Sequence, residues 1–229
     1  MSQAIDLFFL AKECKDNPKK PSNWIKVHHN SASSIIHSFS ALESFINEVG
    51  YQMLVEKKSH LFIDQTKINY ALKKIISNWK NTSCIDKLNI LIEQLLQISI
   101  PSKLTAELAE LNNLRNWLVH GFVFRRTVLL ELKDEEENAA TYDVIDMEDD
   151  VDWHNKFPNT KFNSIDNLDG TDAKKALLIV LSAIILLNKA RKEPFIFASY
   201  FYGPNHYIIN NDTSENADAV LSRIENTSC

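Results

Sequence analysis

Glycine and proline are scarce in this chain: only four glycines and six prolines occur among its 229 residues. Sandwiches and barrels need many turns, and phosphate-binding loops need clustered glycines, so the composition disfavours both. Hydrophobic residues make up 45% and charged residues 24% of the chain, values typical of a globular protein that buries its own core. The sequence therefore predicts a single domain over residues 1–229 that is mainly all-α.

Apolar residues recur at spacings of three and four along several segments, which is the pattern of amphipathic helices. The predicted helices are Ser2–Lys15, Ser31–Lys58, Thr66–Trp79, Ile85–Ile98, a fifth that Ser102 caps and that runs to about His120, and a last one from Thr171 or Asp172 to Lys192. Long helices joined by short links are typical of an antiparallel helical bundle. An aromatic and then polar C-terminal tail follows at about 194–229.

Residues at about 122–170 interrupt the helical pattern between the last two core helices. Phe122–Leu132 is a β-like apolar run that can pair with Thr141–Met147. Eleven acidic residues fall between 131 and 152, against one base, Lys133, which leaves 24 basic and 19 acidic residues elsewhere, a net charge of +5. We expect an inserted acidic hairpin or loop. One alternative is an acidic loop that is simply exposed to solvent. The other is an element that mimics RNA or docks a basic partner.

The spacing of the cysteines and the absence of long apolar runs indicate in which cellular compartment the protein acts. Cys14, Cys84 and Cys229 are far apart in the sequence and form no CxxC pair, which is typical of a reducing compartment. The N-terminus lacks the pattern of a signal peptide. The longest apolar run, Ala176–Leu187, has 12 residues, too few to span about 30 Å of hydrocarbon. These features predict a soluble, cytoplasmic protein without a membrane segment.

Familiar metal and nucleophile motifs are missing from the sequence. His28 and His29 are neighbours whose side chains point apart on a helix or a strand, and no second ligand pair has a familiar spacing. GxSxG, HExxH and P-loop patterns do not occur. A catalytic site built from a cysteine nucleophile and a histidine distant in sequence stays an open alternative, although no residue beside the three cysteines suggests it. The sequence predicts no metal and no cofactor.

Chemistry-bearing residues gather at the end of the fifth predicted helix, in the sequence LRNWLVHG. Arg115 falls on the side of the leucine stripe, where a guanidinium is costly unless a carboxylate or phosphate pairs with it. Asn116 and His120 are four residues apart and share a face beside it. An arginine that holds a phosphate and a histidine that moves a proton would suit phosphodiester cleavage. Alternatively, the three side chains only satisfy the last carbonyls of a helix that ends at Gly121.

The pattern Arg115-Asn116-x-x-x-His120 resembles the Rx4-6H signature of the HEPN superfamily (higher eukaryote and prokaryote nucleotide-binding). The sequence SALESFINE at Ser40–Glu48 also resembles the helix that faces the motif helix in many of these proteins. The resemblance covers roughly 31–192 and implies a helical bundle with one more helix after the motif. The inserted segment and the aromatic tail depart from a minimal HEPN domain.

The resemblance implies a metal-independent endoribonuclease, a toxin or anti-phage effector in which two protomers bring their motifs together around one cleft. Arg115 and His120 match the catalytic pair of the family, and Asn116 matches the polar residue beside it. On the facing helix, Glu43 is the candidate to pair with or orient Arg115. Asn47 is the candidate to position His120 or the scissile phosphate. Glu43 and Asn47 could equally make polar contacts between helices without catalytic duty.

The resemblance also implies the mechanism and the partners. The 2′-hydroxyl of RNA would attack the phosphate, so the reaction needs no Mg²⁺, leaves a 2′,3′-cyclic phosphate and cannot act on DNA. The expected partners are an RNA substrate, a second copy of the chain and an antitoxin or other protein. Two alternatives stay open: a catalytically silent HEPN module that binds a nucleotide, RNA or protein, and a plain helical interaction domain.

Overall fold

The computed structural model describes residues 1–16, 23–54, 77–121, 125–136, 139–189 and 220–228. These residues form a mostly helical fold with one two-stranded sheet, so the predicted mainly all-α class is confirmed. The predicted helix Thr66–Trp79 lies outside the described residues except for its last three positions. The aromatic tail lies outside them up to residue 219.

The first two helices pack along each other. Helix α1 is Ser2–Asp16 and helix α2 is Asn23–Leu54. The Ser34 hydroxyl, which is buried, donates a hydrogen bond of 2.7 Å to the carbonyl oxygen of Ala4 and so joins the two helices. The predicted apolar stripe of α2 is buried at Ile35, Phe39, Leu42, Ile46 and Val49.

A short, irregular helical region leads from α2 toward the motif helix. After a 3-10 turn at Trp79–Asn81, helix α3 covers Cys84–Asn89 and continues as a π-helical turn over Ile90–Leu95. Ser83 caps α3, because its hydroxyl accepts a hydrogen bond of 3.1 Å from the Asp86 backbone N–H. The apolar residues of this region were predicted as one regular helix, whereas the structure changes hydrogen-bonding pattern within it.

Helix α4 covers Ser102–His120 and ends at the residue that the sequence predicts. Its N-terminal capping position is taken by Pro101, so Ser102, a candidate cap in the sequence, is instead the first helical residue. The helix ends at Gly121, whose φ of +79° is a backbone conformation that favours glycine. The leucine stripe of α4 is buried at Leu104, Leu108, Leu111 and Leu114.

The inserted acidic segment contains a β-hairpin. Strand β1, Arg126–Glu136, pairs antiparallel with strand β2, Ala139–Asp149. At the base of the hairpin, the Arg126 guanidinium donates to the Asp149 carboxylate at 2.6 and 2.9 Å and lies 2.8 Å from an Asp166 oxygen. Strand β1 starts later and ends later than the predicted run Phe122–Leu132, whereas strand β2 starts before and ends after the predicted Thr141–Met147.

The last long helix lies at the centre of the described core. After a short helix α5, Trp153–Lys156, and a 3-10 turn at Ile165–Asn167, helix α6 covers Gly170–Lys189 and contacts α1, α2 and α4. Its fully buried apolar side chains are Ala173, Ala176, Leu177, Val180, Leu181, Ala183 and Leu187. Within the described part of the chain, no helix combines the length and apolar character needed to cross a bilayer.

A buried carboxylate joins α4 to the loop that precedes α6. The Glu110 carboxylate accepts hydrogen bonds from the backbone N–H groups of Asn159 at 3.0 Å and Thr160 at 2.8 Å, and from the Thr160 hydroxyl at 2.7 Å. Burial acts to raise the pKa of Glu110, but the hydrogen bonds from Thr160 and Asn159 outweigh it and hold the pKa below its ordinary value.

We expect Glu110→Gln to lower the free energy of unfolding by about 3 kcal/mol at neutral pH, because it replaces a charged acceptor of several hydrogen bonds. Since the folded-state pKa of Glu110 lies below the unfolded value, this stabilisation is present above the ordinary pKa and is lost as pH falls through the folded value. Urea denaturation measures the difference in free energy of unfolding between the wild type and Glu110→Gln. This difference should be smaller below pH ~4 than at neutral pH. Glu107→Gln is the control, since the ion pair of Glu107 in the described part of the chain is with the exposed Lys103. Equal effects of both variants would contradict the assignment.

Candidate active site

Helix α4 carries Arg115, Asn116 and His120 in its last two turns. The buried leucines of α4 hold it in the core, with contacts to α2 and α6. Because Arg115 directly follows the fully buried Leu114, its side chain begins at the edge of the core and not on the open face. The side chain of Arg115 is 23% exposed, so part of it reaches solvent.

Arg115 contacts α2 and its own neighbour on α4. Its Nη1 donates a hydrogen bond of 2.9 Å to the Oδ1 atom of Asn116. Its Nη2 lies 3.9 Å from Oε2 of Glu43, a distance beyond a hydrogen bond. The guanidinium carbon lies 5.9 Å from the ring centre of Phe39, so α2 supplies both an anion and an aromatic face. The structure therefore brings Arg115, Asn116 and Glu43 together.

These contacts position Arg115 without neutralising it. A guanidinium has five N–H donors, of which the described residues bind one closely. The Nε of Arg115 is buried without a hydrogen-bond acceptor among the described residues, and an unsatisfied buried donor costs about 1–3 kcal/mol. A half-exposed ion pair such as Glu43–Arg115 contributes only about 0–1 kcal/mol. Arg115 therefore retains capacity to bind an anion.

Asn47 forms a hydrogen bond with a lysine on a neighbouring helix. Its Oδ1 accepts a hydrogen bond of 2.9 Å from Nζ of Lys87, which lies on α3. Lys87 is only 5% exposed, and its ammonium lies 5.5 Å from the ring centre of Trp79. The described residues show no hydrogen bond between Asn47 and His120. A positioning contact of Asn47 on the imidazole is thus not part of this structure.

Cys84 lies among the same charged groups and is chemically inert. Burial, together with the nearby Glu43 carboxylate, raises the pKa of its thiol to about 12 despite the lowering effect of Lys87 and Arg115. The thiol is therefore protonated at neutral pH and unsuited to act as a nucleophile. The Asn47–Lys87 hydrogen bond joins α2 to α3, and the Glu43–Arg115 contact joins α2 to α4.

We refer to Glu43, Asn47, Lys87, Arg115 and Asn116 as the polar cluster. It contains two cations and one carboxylate, so it carries a net positive charge. Lys87 was not a candidate in the sequence. A signal was present, because Lys87 lies between buried Cys84 and Leu88 on the apolar side of α3, the same kind of position that drew attention to Arg115.

His120 is the last residue of α4 and is exposed. Among the described residues it makes no hydrogen bond or ion pair. Arg115 and His120 are five residues apart, which on an α-helix is about 7.5 Å along the axis and about 140° around it. One copy of α4 therefore directs the guanidinium toward α2 and α3, and presents the imidazole at the solvent-exposed end of the helix.

Gly50 allows Trp79 to pack against α2. A Cβ atom at position 50 would meet the Trp79 ring, which has no room for it. We therefore expect Gly50→Ala to lower the free energy of unfolding by about 1–2 kcal/mol, although alanine is the better helix former. Thermal or urea denaturation of the wild type and the variant measures this loss in free energy of unfolding. In a Trp79→Leu background the same substitution should be neutral or stabilising, and a loss that persists there would contradict this reason.

The described residues contain no group of three or more His, Cys, Asp or Glu side chains that could bind a metal ion. No protein-family model matches this chain, and no curated protein or solved structure is significantly similar to it.

Proposed function

We propose that this protein is a metal-independent endoribonuclease of the HEPN type, which cleaves RNA by attack of the 2′-hydroxyl. In this proposal two copies form a homodimer with a composite active site. The protein acts in the cytoplasm as a toxin or anti-phage defence effector, and an antitoxin or other protein partner restrains it.

The observation that carries this proposal is the state of Arg115. Its guanidinium donates to Asn116 and lies near Glu43, its side chain is partly exposed, and the described residues provide one close acceptor for its N–H donors. Lys87 adds a second positive charge nearby. A phosphodiester is an anion with two free oxygens that fit a guanidinium in a bidentate manner, so RNA is a suitable ligand for this site.

In the proposed reaction His120 transfers protons and Arg115 stabilises negative charge. One imidazole, His120 of one copy, takes the proton of the 2′-hydroxyl, whose oxygen attacks the phosphorus. The bond from phosphorus to the 5′-oxygen breaks, and the imidazolium of the second copy gives a proton to that oxygen. Arg115 stabilises the additional negative charge on the phosphate oxygens during the attack. The products are a 2′,3′-cyclic phosphate and a 5′-hydroxyl.

A catalytically silent HEPN module that binds a nucleotide, RNA or protein is the second candidate. The Arg115–Asn116 hydrogen bond and the Glu43 contact favour it, because both engage the arginine without any ligand. The acidic hairpin also favours it, since it would repel RNA wherever it approached the site. In this module Arg115 and His120 would bind a phosphate group without transferring protons.

The test is incubation of the full chain with RNA in EDTA, beside DNA of the same sequence, followed by mass spectrometry of the product ends. The proposal predicts fragments with 2′,3′-cyclic phosphate and 5′-hydroxyl ends from RNA and no cleavage of DNA. A substrate with one 2′-deoxy nucleotide should resist cleavage at that position only. Binding of RNA without cleavage would favour the silent module, and activity that requires Mg²⁺ would contradict the mechanism.

A further inference from the structure

Lys87 is a buried cation, and no carboxylate of the described residues lies within ion-pair distance of it. It is 5% exposed, and its ammonium donates a hydrogen bond of 2.9 Å to Oδ1 of Asn47 and lies 5.5 Å from the ring centre of Trp79. Neither of these partners carries a net charge. The adjacent acid on α3, Asp86, is exposed and accepts a hydrogen bond from the Ser83 hydroxyl. A buried charge without an opposite partner is costly, and such departures are typical of functional sites.

Helix α2 brings Lys87 close to the carboxylate of the polar cluster. Glu43 and Asn47 are four residues apart on α2, so they share a face and their Cβ atoms lie about 6 Å apart. On this face Asn47 binds Lys87 of α3, and Glu43 contacts Arg115 of α4. Glu48, the other acid of this part of α2, lies about 140° around the helix from Glu43. Glu43 is therefore the carboxylate that shares a face of α2 with the contacts of both cations.

The contact between Glu43 and Arg115 is open, although the two charges are opposite. The 3.9 Å between Oε2 and Nη2 is longer than a hydrogen bond, and Glu43 makes no hydrogen bond among the described residues. Closely paired carboxylates and guanidinium groups lie about 2.7–2.9 Å apart. The ammonium of Lys87 attracts the carboxylate and repels the guanidinium, and its burial weakens the screening of both effects by water. Both effects act against closure of the pair.

We propose that Lys87 is a positioning residue of the polar cluster: its buried charge offsets that of Glu43 and so keeps Arg115 available to bind a phosphate of RNA. Because Lys87 is buried and already bound to Asn47, it acts through Glu43 and not by contact with the RNA. The phosphate-binding role of Arg115 rests on the proposed function. The effect of Lys87 on the Glu43–Arg115 pair does not.

A double-mutant cycle measures the coupling between Glu43 and Arg115 without any RNA. Urea denaturation of Glu43→Gln, Arg115→Ala and the double variant gives this coupling in the free energy of unfolding. We expect almost no coupling when Lys87 is present, and a favourable coupling when the cycle is repeated on Lys87→Met. Methionine keeps the aliphatic packing on Trp79 and removes the charge. Lys87→Gln, which keeps an N–H donor for Asn47, should give the same coupling as Lys87→Met.

Binding of a short RNA with methylated 2′-hydroxyls, which cannot be cleaved, measures the availability of Arg115. In fluorescence anisotropy, Lys87→Met should raise the dissociation constant about 10-fold. Most of that loss should vanish when Glu43→Gln is also present, because the charge that Lys87 offsets is then absent. Lys80→Met removes an exposed lysine from the same region and should change neither the coupling nor the affinity.

Two results would overturn the proposal. One is a Glu43–Arg115 coupling that Lys87→Met and Lys87→Gln leave unchanged. The other is a loss of RNA affinity in Lys87→Met that persists undiminished in the Glu43→Gln background. Failure of the wild type to bind or cleave RNA would contradict the proposed function, and the coupling measurement would still decide whether Lys87 acts on the Glu43–Arg115 pair. Circular dichroism checks that each variant is folded.

Discussion

Arg115→Ala should lower the rate of RNA cleavage at least 100-fold, because it removes the donors that stabilise charge on the phosphate in the transition state. The loss should appear mainly in kcat, since this stabilisation is greatest in the transition state. Arg115→Lys should restore little activity, because an ammonium keeps the charge but not the two parallel N–H donors. Single-turnover cleavage of a labelled RNA in EDTA measures the effect.

Stability provides the control for this variant. Arg115 makes one hydrogen bond and one long ion pair in the described structure, so its loss should change the free energy of unfolding by no more than about 1–2 kcal/mol. Lys103→Ala removes an exposed positive charge from the same helix and should leave cleavage unchanged. Wild-type cleavage by Arg115→Ala would reject the site, and so would an equal loss in Lys103→Ala.

His120→Ala should lower cleavage by about 100- to 10,000-fold, the usual contribution of proton transfer by a positioned side chain. Because His120 is exposed and makes no hydrogen bond among the described residues, we expect no measurable change in stability. The pH–rate profile separates proton transfer from simple binding. The wild-type profile should be bell-shaped, and the residual activity of the variant should lose that shape.

His29→Ala is the matched control for His120→Ala, since His29 is an exposed histidine on α2, outside the polar cluster. It should retain both the rate and the pH profile of the wild type. A His120→Ala protein that binds RNA more weakly but cleaves with the wild-type kcat would assign His120 to binding alone. That outcome would support the silent module over the enzyme.

Sequence pattern predicted best where one helix face alone is buried. The leucine stripe of α4 located this helix and its end at His120, because four of its leucines are buried and Gly121 follows with a positive φ. The stripe also placed Arg115 at the edge of the core. Periodicity failed at the start of α2: the exposed side chains of Trp24 and Ile25 give no apolar pattern, although the backbone there is helical.

Other features depend on contacts that spacing does not encode. The segment around α3 is apolar on more than one face, so its period did not reveal the π-helical turn or the burial of Lys87. In the hairpin both faces meet solvent, so no buried face imposes an alternating pattern, and the strands run on into acidic residues. The Asn47–Lys87 hydrogen bond joins residues 40 positions apart, which the pattern of one helix cannot specify.

The most direct test of the active-site assignment is a crystal structure of the protein with a short oligonucleotide that carries a 2′-deoxy nucleotide at the cleaved position. We expect one phosphate to be bound by Arg115, with guanidinium nitrogens about 3 Å from its oxygens, and His120 imidazoles from two copies beside the same phosphate. An oligonucleotide bound elsewhere would contradict the assignment. So would two copies whose Arg115 and His120 side chains face separate surfaces.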